Sequence, residues 1–214
     1  MIKISNFYLL VGLLFSMACT GNVENTAYEK PLNTSGNSNT VMKGPLPAPE
    51  VATANYETVV LKGNIPSPQK RTSGQIAGAN ISITYGSPSV RGRKIWGGLE
   101  PYNEIWRMGA NEATVFETDA AIQVEGQELA AGKYALFTIP RAKQDWTLIF
   151  NKAYDQWGAF EYDTEQDVLR AEITPVSLKE KQEMLSFLMD GSSVLMRWSD
   201  VQLQFEMNHS ALNE

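Results

Sequence analysis

Val201-Gln202-Leu203-Gln204-Phe205-Glu206-Met207 alternates apolar and polar residues without a break. Successive side chains of a β-strand point to opposite faces. This run therefore predicts a half-buried strand with Val201, Leu203 and Phe205 inward and Gln202 and Gln204 outward. Just upstream, Val194, Met196 and Trp198 alternate with Leu195 and Arg197. Trp146, Leu148 and Phe150 alternate with Thr147 and Ile149, and Ile81, Ile83 and Tyr85 with Ser82 and Thr84. Val115 and Glu117 flank Phe116, while Ile122 and Val124 lead into the turn Glu125-Gly126-Gln127. Tyr134 to Ile139 is apolar on both faces and predicts a central strand. Val168 to Ile173 and Met184 to Met189 are further strands.

Eight to ten short strands separated by turns predict an all-β fold. The expected architecture is an antiparallel β-sandwich, jelly-roll-like, with at most one or two short helices. The one helical composition is Ser177 to Glu183 (S-L-K-E-K-Q-E), with a serine in N-cap position. It reads as a short helix or a polar loop. The sandwich is expected over residues 74–208, with 209–214 as a tail. Residues 19–73 are rich in Asn, Thr, Ser, Gly and Pro, including Pro45, Pro47 and Pro49, and read as a flexible stalk. Within it, Tyr56 to Leu61 is a short strand or the edge at which the domain begins.

The chain opens with Lys3, an apolar run from Phe7 to Phe15, and Ser16-Met17-Ala18-Cys19. A positive start, a short apolar stretch and a small residue before the cut describe a secretory signal over residues 1–18. Cys19 is the only cysteine. It falls where a bacterial lipoprotein signal places its lipid-bearing thiol, so the expected partner is a membrane, reached through a lipid on Cys19. The expected location is the bacterial cell envelope, facing the periplasm. A single cysteine leaves no intramolecular disulfide, and the core must hold itself. After the leader, 17 basic residues stand against 24 acidic ones, a net charge of −7. That balance argues against nucleic acid and against a polybasic grip on anionic lipid.

Between the predicted strands lies Tyr85 to Thr114, Y-G-S-P-S-V-R-G-R-K-I-W-G-G-L-E-P-Y-N-E-I-W-R-M-G-A-N-E-A-T. Its glycines and prolines exclude a helix. Trp96, Tyr102 and Trp106 make it too aromatic for a solvated linker. It reads as an ordered loop lying on the core. The run Trp106 to Thr114, with Gly92-Arg93-Lys94-Ile95-Trp96-Gly97 and Pro101-Tyr102 upstream, resembles a family of bacterial domains of unknown function. That family is found in exported proteins and lipoproteins and carries a W-R-x-G-A-N-E-A-T signature. Ala131-Gly132-Lys133-Tyr134, Leu136 to Pro140, Ile149-Phe150-Asn151 and Gln156-Trp157-Gly158-Ala159 are similar to it as well. The resemblance spans Gln75 to Met207 and departs at Met108, where the family often has Thr. It implies a domain and no mechanism.

The residue inventory narrows the chemistry. His209, the single histidine, falls in the predicted tail, which leaves Ser-His-Asp catalysis without its base. A zinc site of His and Cys lacks ligands, and Asp155, Asp163 and Asp167 lack EF-hand spacing. No phosphate-binding glycine motif occurs. No cofactor, metal or catalytic residue is therefore assigned. Glu112 can serve as one of two carboxylates in glycoside hydrolysis, but Glu100, Glu104, Glu161 and Asp163 are equivalent as its partner.

Three groups in the loops carry two readings each. Arg107, Asn111 and Glu112 either satisfy the loop's own backbone and each other, or line a cleft. Trp96, Tyr102, Trp106 and Trp157 are either core or a platform for a sugar ring. Arg91, Arg93 and Lys94 are either a solvated turn or a seat for a carboxylate or phosphate. Tyr154 to Tyr162 is a second ordered loop placed to cover the first. The candidate ligand-binding set is Arg91, Arg93, Trp96, Tyr102, Arg107, Asn111, Glu112 and Trp157. Within it, Arg107 and Glu112 are expected to pair and hold the loop, while the Arg91–Trp96 side is exposed and meets the ligand. The expected function is a binding module for a polar small molecule or glycan. A structural or protein-interaction module, with a protein partner the sequence does not identify, is the second reading, and a carboxylate-based hydrolase the third.

Overall fold

The alternation near the C-terminus changes phase. Val194, Met196 and Trp198 are buried at even positions, then Leu203, Phe205 and Met207 at odd ones. A strand can do this only by losing register once, and Ser199, with φ 54°, is where it does. The two runs are accordingly one long strand, β11 (Ser193–His209). The computed structural model describes residues 55–210. The leader, Cys19, most of the expected stalk and residues 211–214 lie outside the described residues.

Eleven strands occur among the described residues, in two antiparallel sheets. The first has the order β1 (Tyr56–Lys62), β2 (Gln69–Ile76), β3 (Ala79–Gly86), β4 (Thr114–Thr118), β7 (Gly132–Ile139), β8 (Trp146–Asn151), β9 (Asp167–Ile173). The second has the order β10 (Val176–Asp190), β11, β5 (Ile122–Val124), β6 (Gln127–Leu129). The chain is a sandwich, and its only helical element among the described residues is a 3-10 turn at Thr164–Gln166. β5 and β6 are joined by Glu125 (φ 48°) and Gly126 (φ 74°), both left-handed as a two-residue hairpin turn requires.

The inner faces close on one core. Ile81, Ile83, Phe116, Leu136 and Phe150 meet Phe187, Met196, Leu203, Phe205 and Met207. Tyr85 ties the sheets together: its ring stands edge-on to Phe187 at 4.8 Å, and its hydroxyl accepts from the Phe187 N–H at 3.3 Å. β7 is central, as its two apolar faces require. Tyr134 and Leu136 join the main core, while Ala135 and Phe137 form a second, smaller one with Ala113 and Ile149 on the outer face. Ile105, Ala159 and Tyr162 roof that second core, so both long loops lie on the outside of the first sheet.

Three boundaries differ from expectation. The short strand expected at Tyr56–Leu61 is present as β1 (Tyr56–Lys62), paired with β2, so the sandwich begins some way before residue 74, inside the segment whose composition reads as stalk. β2 is rich in Gln, Lys, Thr and Ser, and its strand character comes from pairing with β3 along its whole length. Ser177 to Glu183 is neither helix nor loop but the first half of β10. Ser177 pairs with Val201 and Gln182 with Ser199, so four β10 residues stand opposite one on β11. That bulge erases the period of two that would have marked the strand. His209 ends β11 opposite Ile122 instead of lying in a tail.

Candidate functional site

The Tyr85–Thr114 stretch is fixed by backbone pairing at both ends and in its middle. At its start, Ser87 to Val90 bond to β10: Val90 N donates to Glu183 O at 2.8 Å, Leu185 N to Pro88 O at 2.9 Å, and the Ser87 hydroxyl to Leu185 O at 2.6 Å. The stretch thus crosses from one sheet to the other. At its far end, Trp106 exchanges two 2.8 Å hydrogen bonds with Thr138 on β7, and Thr114 begins β4 opposite Leu136. Residues 107–113 form an excursion between two nearby ladder positions. Met108 (φ 52°) and Asn111 (φ 65°) supply its turns.

The excursion folds back on β3. Ala110 N donates to Gly86 O at 3.2 Å, and a Cβ on Gly86 would overlap the Ala110 carbonyl. Glycine is required there by close backbone approach. The second loop does cover the first. Ala113 N donates to Gln156 O at 3.0 Å and Gly158 N to Asn111 O at 2.9 Å, which sets Glu112 directly opposite Trp157.

These constraints divide the eight candidate residues. Arg93, Trp96 and Tyr102 share a cleft of about 470 Å³ at one end of the sandwich. Asn111, Glu112 and Trp157 lie together on the outer face, some distance along the loop. Arg91 joins neither; it is exposed, and its backbone N–H donates to Glu183 at 2.9 Å. Arg107 is half-buried, and the anion it faces is Glu100.

Arg107 and Glu112 therefore do not pair. The left-handed turns at Met108 and Asn111 separate them, and Glu112 instead meets Lys62 at 3.5 Å. Burial pushes Glu100 up to about 7 against the opposing pull of Arg107 and Arg93. The same burial lowers Arg107, which Glu100 partly offsets. The Arg107 Nε is buried and has no acceptor.

Trp96 is not on an exposed flank. It is 6% exposed and stands edge-on to Trp106, Trp146 and Trp198 at 5.2, 4.7 and 5.7 Å between ring centroids. Glycine-rich neighbours suggest a solvated loop, but here they let the chain turn so that the indole points into the core. Gly97, at φ 67°, is also the surface on which the Tyr102 ring rests. The indole N–H groups of Trp96, Trp106 and Trp198 are buried without acceptors.

The cleft has a charge pattern that the linear sequence does not display. Arg93 and Lys94 come from the loop, Arg141 and Lys143 from the β7–β8 turn, and Lys181 from the β10 bulge; Asp200 is the one carboxylate in its lining. Trp96, Tyr102 and Trp146 supply aromatic wall. Arg93 is anchored by donating to the Ser89 and Val90 carbonyls at 2.6 and 3.0 Å. Arg141 is anchored by Glu172 at 3.1 Å and the Asp145 carbonyl at 3.0 Å. The ammonium groups of Lys94, Lys143 and Lys181 have no ion-pair partner among the described residues. Sequence reading missed Arg141, Lys143 and Lys181. The only available signal was their sign in an acidic chain, which says nothing about convergence.

No curated protein and no solved structure matched the chain. A family model described as protein of unknown function (DUF2911) matches residues 67–207, which take in β2 through nearly all of β11 and both loops. The chain belongs to that family.

Proposed function

We propose that this protein is an envelope-anchored binding protein that takes a small polar molecule carrying a carboxylate or phosphate group in the end cleft. Charge is the observation that carries the reading. Five cations and one carboxylate line a single cleft in a chain whose net charge is −6. Like charges gathered this way repel one another, and an anion between them relieves the repulsion. The two arginines are already held by carbonyls or a carboxylate, so they give a fixed positive frame, and the three lysines are free to close on a ligand. A volume of about 470 Å³ falls within the ordinary range for small-molecule sites. The aromatic wall would hold the ligand's apolar part. Anchoring rests on the leader and on Cys19 placed directly after it.

The test is thermal melting of the protein with inorganic phosphate and with citrate, followed by calorimetry. At saturating ligand at least one anion is expected to raise the melting temperature by several degrees. The rise should shrink at high salt. Replacing Lys94→Glu and Lys181→Glu together should abolish it. Melting unchanged by either anion, or a shift that survives the double substitution, overturns the reading.

A further inference from the structure

The outer face of the first sheet carries a second feature that the cleft does not explain. Trp157 is 59% exposed although it lies in a loop that is otherwise fastened down. Its neighbours Gln156 and Gly158 hold hydrogen bonds to Ala113 and Asn111, so the indole stands on a rigid support. A large exposed aromatic on a rigid support loses little freedom when it binds.

Trp157 and Glu112 are opposite one another in an antiparallel bridge. Directly opposed residues send their side chains to the same side of the ladder. The carboxylate therefore stands beside the indole. Grooves of about 460 and 410 Å³ run off either side of this pair, and both contain Glu112 and Trp157. Lys62 and Asn111 lie on one side, Arg71 and Asp155 on the other. The Asn111 side-chain NH₂ donates to the Ser67 carbonyl at 3.4 Å, and its side-chain oxygen, unlike its backbone carbonyl, accepts no hydrogen bond among the described residues.

Charge separates this face from the cleft. Lys62, Arg71 and Lys133 are matched by Glu112, Glu117 and Asp155, and two of the three pairs are in contact, at 3.5 and 3.3 Å. An anion or a cation gains nothing here. A neutral molecule with hydroxyls gains on two counts. The C–H face of a sugar ring, weakly positive at its hydrogens, stacks on the negative face of an indole. Hydroxyls at the ring edge then meet the Glu112 carboxylate, the Asn111 side-chain oxygen and the Lys62 ammonium group, which line one groove. Phe160, 88% exposed on the same loop, offers a second ring for a longer chain.

From this we infer that the Trp157–Glu112 face binds a neutral oligosaccharide, independently of the anion cleft. The experiment uses the whole protein and titrates maltohexaose, cellohexaose and chitohexaose by calorimetry and tryptophan fluorescence. At least one is expected to bind with a dissociation constant in the micromolar range. Trp157→Ala should weaken it at least about tenfold, and Glu112→Gln several-fold. Trp157 is exposed and Glu112 half-exposed in a surface ion pair with Lys62, so neither substitution should lower the melting temperature much, and loss of binding is then not loss of fold. The Lys94→Glu/Lys181→Glu protein should bind the sugar as before, which separates failure of this inference from failure of the cleft. No binding of any of the three at about 10 mM overturns it. So does affinity that survives Trp157→Ala. Sedimentation showing dimers that Trp157→Ala dissolves would assign the face to a second copy of the chain and also overturn it.

Discussion

Trp106 and Thr138 exchange two backbone hydrogen bonds of 2.8 Å, two residues along β7 from Leu136, where β4 begins its pairing at Thr114. The seven residues between Trp106 and Thr114 are thereby pinched at their base. Everything that reaches the surface there, Asn111 and Glu112 included, is positioned by a ladder that passes beneath it.

The pinch depends on how closely the excursion approaches β3. Gly86→Ala places a methyl group against the Ala110 carbonyl, and backbone cannot rotate away as a side chain can. A destabilisation of about 1–3 kcal/mol or more is expected from chemical denaturation. Gly63→Ala is the control. Its Cβ would meet only Val60 at 3.5 Å, and it should stay within about 0.5 kcal/mol of the parent.

Trp96→Ala is expected to cost about 3–5 kcal/mol, because it removes a buried indole from contact with three others. Arg93→Ala, on an exposed residue a short way along the loop, should cost much less. Equal small losses in urea denaturation would contradict the placement of Trp96 in the core.

On β11, Phe205 is fully buried and faces Phe150 at 6.1 Å, while Gln204 is exposed and donates one 3.1 Å hydrogen bond to Ser193. Phe205→Ala should cost about 3–5 kcal/mol. Gln204→Ala should cost less than about 1 kcal/mol. Denaturation midpoints of the two variants check this directly.

Burial raises Glu100 from 4.5 to about 7. Between those values the folded chain holds a proton that the unfolded chain has lost. Stability should therefore fall as pH rises through that window, with the penalty complete above it. Glu100→Gln keeps the neutral form at every pH. Its melting temperature should drop less than the parent's between about pH 5 and about pH 8. Parallel profiles for the two proteins would show that Glu100 titrates as an ordinary surface carboxylate.

Cys19→Ala should move the protein from the membrane fraction to the soluble periplasmic one. The expectation rests on the apolar run that ends in Ala18-Cys19. Unchanged detergent-dependent fractionation would remove the lipid anchor from the proposed function.

The sequence alone determined the fold class, because a period of two is a local property. Val201 to Met207 and Ile81 to Tyr85 state which side of each strand is apolar, and Tyr134 to Ile139 announces a centre by being apolar on both. It also marked the Tyr85–Thr114 stretch as ordered, whereas the seating of the second loop on it rests on the backbone bonds of Gln156 and Gly158 to Ala113 and Asn111. Local signals failed where pairing overrode them. Ser177 to Glu183 has helical composition, yet β11 offers its backbone partners along that edge, and a bulge hides the alternation. The direction of the loop side chains was a tertiary decision throughout. Whether Trp96 is core or surface, and whether Glu112 meets Arg107 or Lys62, depends on hydrogen bonds to Thr138, Glu183 and Gln156, dozens of residues away in most cases. Arg141, Lys143 and Lys181 join Arg93 and Lys94 for the same reason: a turn and a bulge from different sheets arrive at one end of the sandwich. Spacing along a chain encodes the face of a strand, but convergence of loops exists only after the sheets have packed.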